Sequence, residues 1–434
     1  MLIYAVNHTP RLQYVLDELI VNRLGLSYKI TDNQEYFKKS PSFKINYHVQ
    51  IREACLNIPA SYLLSEDTIH EVSPRAEPDK KWKYIFFKED FIDIPDVKTD
   101  TQILNFDLFS CVFYLLSRYE EYLPSHKDEH ARYVETNSLA FRAGFLEFPL
   151  VDYWVQNLKI CLKKLYPEIV FKPISFTQIN SIDIDFAYKY KGLSMLGQAR
   201  KAIGSILRNN FDAQVFDPPE KDPYDTYDYL TRIATEKNVP TIFFFLLANS
   251  GKYDKNLSPN SPILQKKFNE LSLQFESGLH PSYASNSNIR QLGKEFLLFE
   301  KITGKKSRIS RNHFLKIKLP SSYEHLIEQG VEYDYSLAYT TSLGFRASTS
   351  MAFYFFDLLS NKSTKLRVQP PCLMDVTLRL AMQLKPEEAI KKIQELKASV
   401  MEVEGTFISI WHNSSFDEKE GWAGWDQVYE AMFE

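Results

Sequence analysis

The sequence predicts an α/β protein in two parts: a β/α barrel of about seven parallel strands over residues 171–434, preceded by a smaller α/β or α+β domain over 1–170. Three observations carry this. From residue 174 onward, short apolar runs such as PTIFFFLL at 240–247 alternate with amphipathic stretches, and strands apolar along their length belong to a parallel sheet covered on both faces. About seven such repeats in roughly 260 residues suit a barrel better than an open sheet. Finally, Pro167 and Pro173 bracket a change of texture, because proline disfavours helix at and before its own position.

In the first part, 2–6 reads as a strand, 12–24 as a helix and 28–30 as a second strand. A polar stretch including 65–79 precedes a short strand at 83–87. The run 106–123 places Leu108, Val112, Leu115 and Leu116 at helical spacing, and a helix at 151–165 ends at Tyr166-Pro167. In the second part, strands are expected at 174–184, 240–247, 274–280, 307–309, 333–339, 352–356 and 407–411. Helices are expected at 193–207, 225–236, 264–273, 288–302, 321–329 and 386–400. Ser321 and Ser322 are candidate caps for one of these, Gly330 closes it, and Pro386 opens the last.

Composition excludes several functions. Lys and Arg number 52 against 55 Asp and Glu, a net charge of −3, so a strongly basic nucleic-acid binder is not expected. Glycine, 14 of 434 residues, is about half its usual frequency, which weakens the case for a glycine-rich phosphate loop. Aromatic residues reach 14%, enough for thick cores or sugar-stacking clefts. Cys55, Cys111, Cys161 and Cys372 are far apart in apolar or helical contexts, the pattern of buried reduced thiols. With no basic leader in the opening residues and no apolar run of membrane-spanning length, a cytoplasmic location without membrane insertion is expected. Oligomeric state stays open.

In a parallel barrel the reactive groups project from the carboxyl ends of the strands. Those ends read Asp183-Ile-Asp185, then Gly278-Leu-His280-Pro-Ser282-Tyr283, Ser310-Arg311-Asn-His313, Tyr333-Asp334-Tyr335-Ser336 and Trp411-His412-Asn413. Aspartate and histidine donors suit zinc, manganese or iron, and no thiolate competes. Asp183 and Asp185, two apart on a strand, face the same side. One can bind metal while the other takes a proton from water. Their mutual repulsion raises one pKa unless a cation or Arg311 offsets it, and His412 on the opposite rim can protonate a leaving group.

These strand ends, in this order, resemble the motifs of the polysaccharide deacetylase family, enzymes with a deformed barrel that remove acetyl groups from N-acetylated sugars. The aspartate pair matches the family's first motif, GLHPSY with His280 its second, Arg311 its third, Asp334 its fourth, and ISIWHN with His412 its fifth. The resemblance implies that Asp183 is the base, Asp185 and His280 are metal ligands, His412 is the acid and Arg311 orients the base. Asp334 would lie near the sugar or act on His412. Two departures stand out: Ile184 separates aspartates that the family keeps adjacent, and Ala284 occupies the place of its second histidine. His313 is the expected replacement ligand. A variant group with an extra amino-terminal domain shares GFR (344–346) and MD (374–375), so Arg346 and Asp375 join Ser282, Tyr283 and Asp334 as expected substrate contacts.

The cofactor implied is a divalent metal, zinc first, with manganese, iron or cobalt as alternatives. The implied partner is a carbohydrate carrying an N-acetylated sugar, and the implied reaction is hydrolysis of its amide. Two other readings remain open: a carbohydrate- or partner-binding barrel that has lost its metal, and a metal-free glycoside hydrolase pairing Asp183 with Asp334. Histidines 126 and 130, four apart in a charged stretch, read as a solvated loop, and Trp422 and Trp425 as packing for the closing helix.

Overall fold

The computed structural model describes every residue except 90, 92–99, 195, 196, 200–202 and 204–212. Its contacts divide the chain into two units. The first comprises Met1–Phe176, Gly344–Pro370 and Ser399–Gly405, and the second Thr177–Leu343, Pro371–Ala398 and Thr406–Glu434. A single cut near residue 170 therefore misses two later segments that pack with the amino-terminal part. Among the described residues, no helix is long and apolar enough to cross a membrane.

The first unit is built on five parallel strands: β1 (Leu2–Tyr4), β2 (Lys29–Thr31), β3 (Lys44–Tyr47), β4 (Leu56–Ile58) and β5 (Gln102–Ile103), in the order β2-β1-β3-β4-β5. Between β1 and β2 the chain is helical. Thr9 caps Pro10–Leu16 by accepting the Leu12 N–H, and Pro10 fills the first turn, where no N–H is needed. Leu108–Leu116, capped by Asp107, is buried at every position, so apolar residues surround it on all sides.

The segment from 344 to 370 belongs here for identifiable reasons. Asp152, in the helix Leu150–Leu165, accepts the Ser350 N–H at 2.6 Å and its hydroxyl at 2.7 Å, and also pairs with Arg23. Arg23 in turn reaches the Thr349 hydroxyl at 3.0 Å. Gly344, at φ +108°, passes so close to the Leu146 carbonyl that a Cβ would sit 2.3 Å from it. The expected parallel strand at 352–356 is a correction: Phe353–Asp357 turns back and pairs antiparallel with Lys362–Val368.

Among the described residues the second unit carries seven strands, all parallel: β6 (Thr177–Ile184), β7 (Thr241–Phe245), β8 (Glu276–Leu279), β9 (Ile309–Ser310), β10 (Tyr333–Asp334), β11 (Leu373–Met374) and β12 (Thr406–His412). Neighbours run β11-β12-β6-β7-β8-β9-β10. Among the described residues no pairing joins β10 to β11, so the pairing does not close a barrel of seven strands, and the sheet that holds these parallel strands is a mixed one. The strand expected at 333–339 stops at Asp334, because that carboxylate accepts the N–H and hydroxyl of Ser336 and turns the chain. A helix expected at 193–207 falls largely outside the described residues.

Register places the site. His412 lies opposite Asp183, Asp183 opposite Phe244, Leu279 opposite Phe245, and Leu279 opposite Ser310. The carboxyl ends of β12, β6, β7, β8 and β9 are thus level, which brings His412, Asp183 and Asp185, His280 and Arg311 to one edge of the sheet. Beneath them lies a core of Ile182, Ile184 and Phe243–Phe245, all fully buried, with Phe245 stacked on Phe268 at 4.2 Å between centroids. Trp422 and Trp425 are buried against each other at 5.2 Å, so they serve the core.

Candidate metal centre

Asp185 follows β6, His280 follows β8, and His313 opens the short helical turn His313–Leu315 after β9. One donor atom from each lies within 4.8 Å of the other two. His280 Nε2 is 3.1 Å from Asp185 Oδ1, and His313 Nε2 is 3.4 Å from Asp185 Oδ2. Phe314 and Leu315 take left-handed φ values of 62° and 49°, rare for side chains of this size. Phe314 is wedged among Tyr253, Tyr283 and the His313 ring.

These residues fit a divalent cation on three counts. Asp185 Oδ1 is buried and makes no hydrogen bond although His280 Nε2 stands beside it, as two ligands of a common ion would stand. Both histidines are held through the other ring nitrogen: His280 Nδ1 contacts the Arg311 carbonyl, and His313 Nδ1 lies 2.8 Å from Asp254 Oδ1. Both Nε2 atoms therefore turn toward Asp185, which is how metal-binding histidines are oriented. The charges also call for a cation, since Asp183, Asp185, Asp254 and Asp375 gather around three histidines while Arg311, the fixed positive charge beside them, pairs with Asp183. Burial opposes charge on His313, yet Asp185 and Asp254 raise it to about 9. Burial would likewise raise Asp185, but the three histidines around it hold its carboxyl well below the usual range. A metal ion would displace the proton that these carboxylates draw onto His313.

Two ion pairs flank the cluster. Arg311, fully buried, donates to Asp183 Oδ1 at 2.7 Å, to the Ser181 hydroxyl at 2.7 Å and to the Tyr335 carbonyl at 3.1 Å. Its guanidinium lies 4.3 Å from the Phe244 ring centroid. His412 Nδ1 is 2.8 Å from Asp375 Oδ1, while the His412 N–H donates to Asp375 Oδ2 at 2.8 Å. His412 Nε2 then points toward Asp185, 3.6 Å from Oδ2. Burial works to lower the His412 pKa, but Asp375, then Asp185 and Asp183, raise it to about 10, so the imidazolium persists at neutral pH.

The structure brings Asp183, Asp185, His280, Arg311, His313 and His412 together. The expected substrate contacts fare otherwise. Asp375 is fully buried beneath His412, which uses both its oxygens. Asp334 is fully buried among Ser336 and Ser310 hydroxyls and secures the ends of β9 and β10. That leaves it no open carboxylate face for a glycosidase pair with Asp183. Arg346 belongs to the first unit, where it forks onto Glu121 at 2.9 and 2.7 Å. Ser282 is buried, and Glu295 takes both its N–H and its hydroxyl. Tyr283 alone of these five is partly exposed, its ring 4.2 Å from that of Tyr253.

Asp254 is the residue the sequence reading missed. It orients His313, and it accepts the backbone N–H of Tyr283 at 2.9 Å and of Ala284 at 3.4 Å. At Ala284 the backbone thus anchors the carboxylate that positions the alternative histidine. Asp254 sits nine residues beyond the end of β7, too far for inspection of strand ends to find it.

The geometry defines a parallel-sheet protein with an Asp/His/His cluster at the carboxyl edge of its strands. A model described as a family of unknown function (DUF7033) matches residues 1–167. No curated protein matches the chain. Among solved structures, a Mycobacterium smegmatis protein assigned as a polysaccharide deacetylase is similar at 12% identity and a TM-score of 0.39, over 60% of this chain and 85% of its own. A polysaccharide deacetylase from Bacillus cereus follows at 11% and 0.30, over 59% and 85%. A CE4-family pseudoenzyme from Bacillus anthracis stands at 12% and 0.31, over 62% and 66%. At these scores none of them decides the chemistry.

Proposed function

We propose that this protein is a metal-dependent hydrolase that removes an acyl group, acetyl first, from an N-acylated sugar of a polysaccharide or glycan precursor. The observation that carries the reading is the convergence of Asp185, His280 and His313 between the Asp183–Arg311 and His412–Asp375 pairs. Two imidazoles and one carboxylate favour zinc, and three protein ligands leave a position open. A divalent ion held there supplies Lewis acidity toward an amide carbonyl and acidifies water.

The remaining steps belong to the chain. Arg311 occupies Asp183 Oδ1, which leaves Oδ2 to accept a proton from the attacking water. Asp375 fixes the His412 ring and sustains its charge, so Nε2 carries the proton that the departing amine requires. The motif order that resembles the polysaccharide deacetylases supports the same assignment of base and acid. Four unpaired, buried cysteines fit a reducing compartment.

The test is acetate release from an N-acetylglucosamine oligomer by zinc-loaded protein, with metal content measured alongside. Asp183→Asn is expected to abolish release while retaining metal, and His280→Ala to lose the metal. Full activity in Asp183→Asn, or wild-type protein that takes up no metal on loading, would falsify the assignment.

A further inference from the structure

The first unit contains a cleft for which the hydrolase reading has no use. With the parallel order β2-β1-β3-β4-β5, the chain steps from β1 to β2 on one side and then crosses back to β3 on the other. The connections leaving β1 and β3 therefore part above the sheet, and in open parallel sheets ligands bind where they part, outside the carboxyl ends of the strands. A cleft of about 400 Å³ lies at that place. Its walls are residues 5–7 after β1, 47–49 at the end of β3, and residues from 60–65 after β4. That volume is within the range of small-molecule sites.

The lining selects the ligand. It includes no Asp, Glu, Lys or Arg. Burial and then the nearby Arg52 lower the His48 pKa, which favours its neutral ring. Its Nδ1 accepts the Gln50 N–H at 3.0 Å, so in the neutral ring Nε2 carries the hydrogen, and no hydrogen bond to Nε2 is found among the described residues. The Asn7 amide donates to the Ser65 hydroxyl at 3.3 Å and has its oxygen to offer. Val6 and Tyr62, 55% and 54% exposed, add apolar surface, Tyr62 as a flat ring. A phosphate would meet no cation in this lining, and a metal ion no carboxylate. Uncharged donors and acceptors beside an exposed aromatic ring match a molecule with polar edges and an apolar face.

We propose that this switch-point cleft binds a neutral sugar unit of pyranose size. It shares no residue with the metal centre, and so it stands or falls apart from the hydrolase reading.

Saturation-transfer NMR and calorimetry on the full chain test it, with N-acetylglucosamine and glucose as neutral probes and inorganic phosphate as the anionic one. A neutral probe is expected to bind, and binding should survive His280→Ala, which disables the metal centre. Tyr62→Ala is expected to weaken it about tenfold, the loss of one aromatic contact. Asn7→Trp, at an exposed position, should fill the cleft and remove it. Absence of binding by both neutral probes, preference for phosphate, indifference to both cleft variants, or loss of the signal in His280→Ala would each overturn the proposal.

Discussion

Asp254 shows how much of this site depends on residues beyond the metal-binding atoms. It fixes the His313 ring and the 283–284 backbone together, so its loss would leave His313 present but unaimed. Asp254→Asn is expected to lower metal affinity 10- to 100-fold, the usual effect of removing a carboxylate behind a ligating histidine. A competition titration against a chromogenic chelator measures this, and unchanged affinity would remove Asp254 from the site. Asp375→Asn is expected to behave differently, retaining metal while turnover falls, because it supports His412 and touches no ligand of the cluster. The sequence exposed Asp183, Asp185, His280, Arg311 and His412 because each closes an apolar strand. It could not reveal that Asp375, two residues from Cys372-Leu373 and without alternation around it, lies under His412 and not against substrate. Contacts across some 37 residues leave no local signature.

At the scale of elements, hydrophobic pattern located most strands of the second unit, but it could not tell that a further apolar run, in the segment that joins the first unit, runs antiparallel. Phe353–Asp357 is as apolar as a parallel strand, and only the turn at 358–361 makes it half of a hairpin. In the first unit β3 and β4 escaped notice since they are three or four residues long and contain buried Asn46 and Asn57, which bond to each other at 2.8 Å. Asp152 is the pivot that no pattern predicts, because its partners Arg23, Thr349 and Ser350 come from distant parts of the chain. Asp152→Ala would leave Arg23 buried without its counter-charge and the 349–350 turn without its acceptor. The expected loss is about 3–5 kcal/mol, typical of breaking a buried pair from one side. Urea unfolding of the full chain reads it directly, and a loss below ~1 kcal/mol would show that Asp152 is not the anchor.

For the whole molecule, a nearly balanced sequence charge conceals strongly paired buried groups, and these set its response to acid. Glu121 is the clearest case. Burial alone would raise its pKa, yet Arg346 and Arg118 hold it at about 2, against about 4.3 in an unfolded chain. A carboxylate depressed on folding contributes stability that is complete above its unfolded pKa and disappears as pH falls through its folded value. The window is therefore pH 5 down to 2, and the contribution is on the order of 3 kcal/mol by linkage. Arg346, read from sequence as a substrate contact, would act here as a counter-charge. Replacing it, as in Arg346→Gln, leaves Arg118 as the main support for Glu121 and should move the acid-unfolding midpoint upward. Circular dichroism of both proteins between pH 7 and 2 measures the shift. Coincident acid-unfolding curves would show instead that Glu121 is not held by Arg346, and would return this arginine to the search for a ligand.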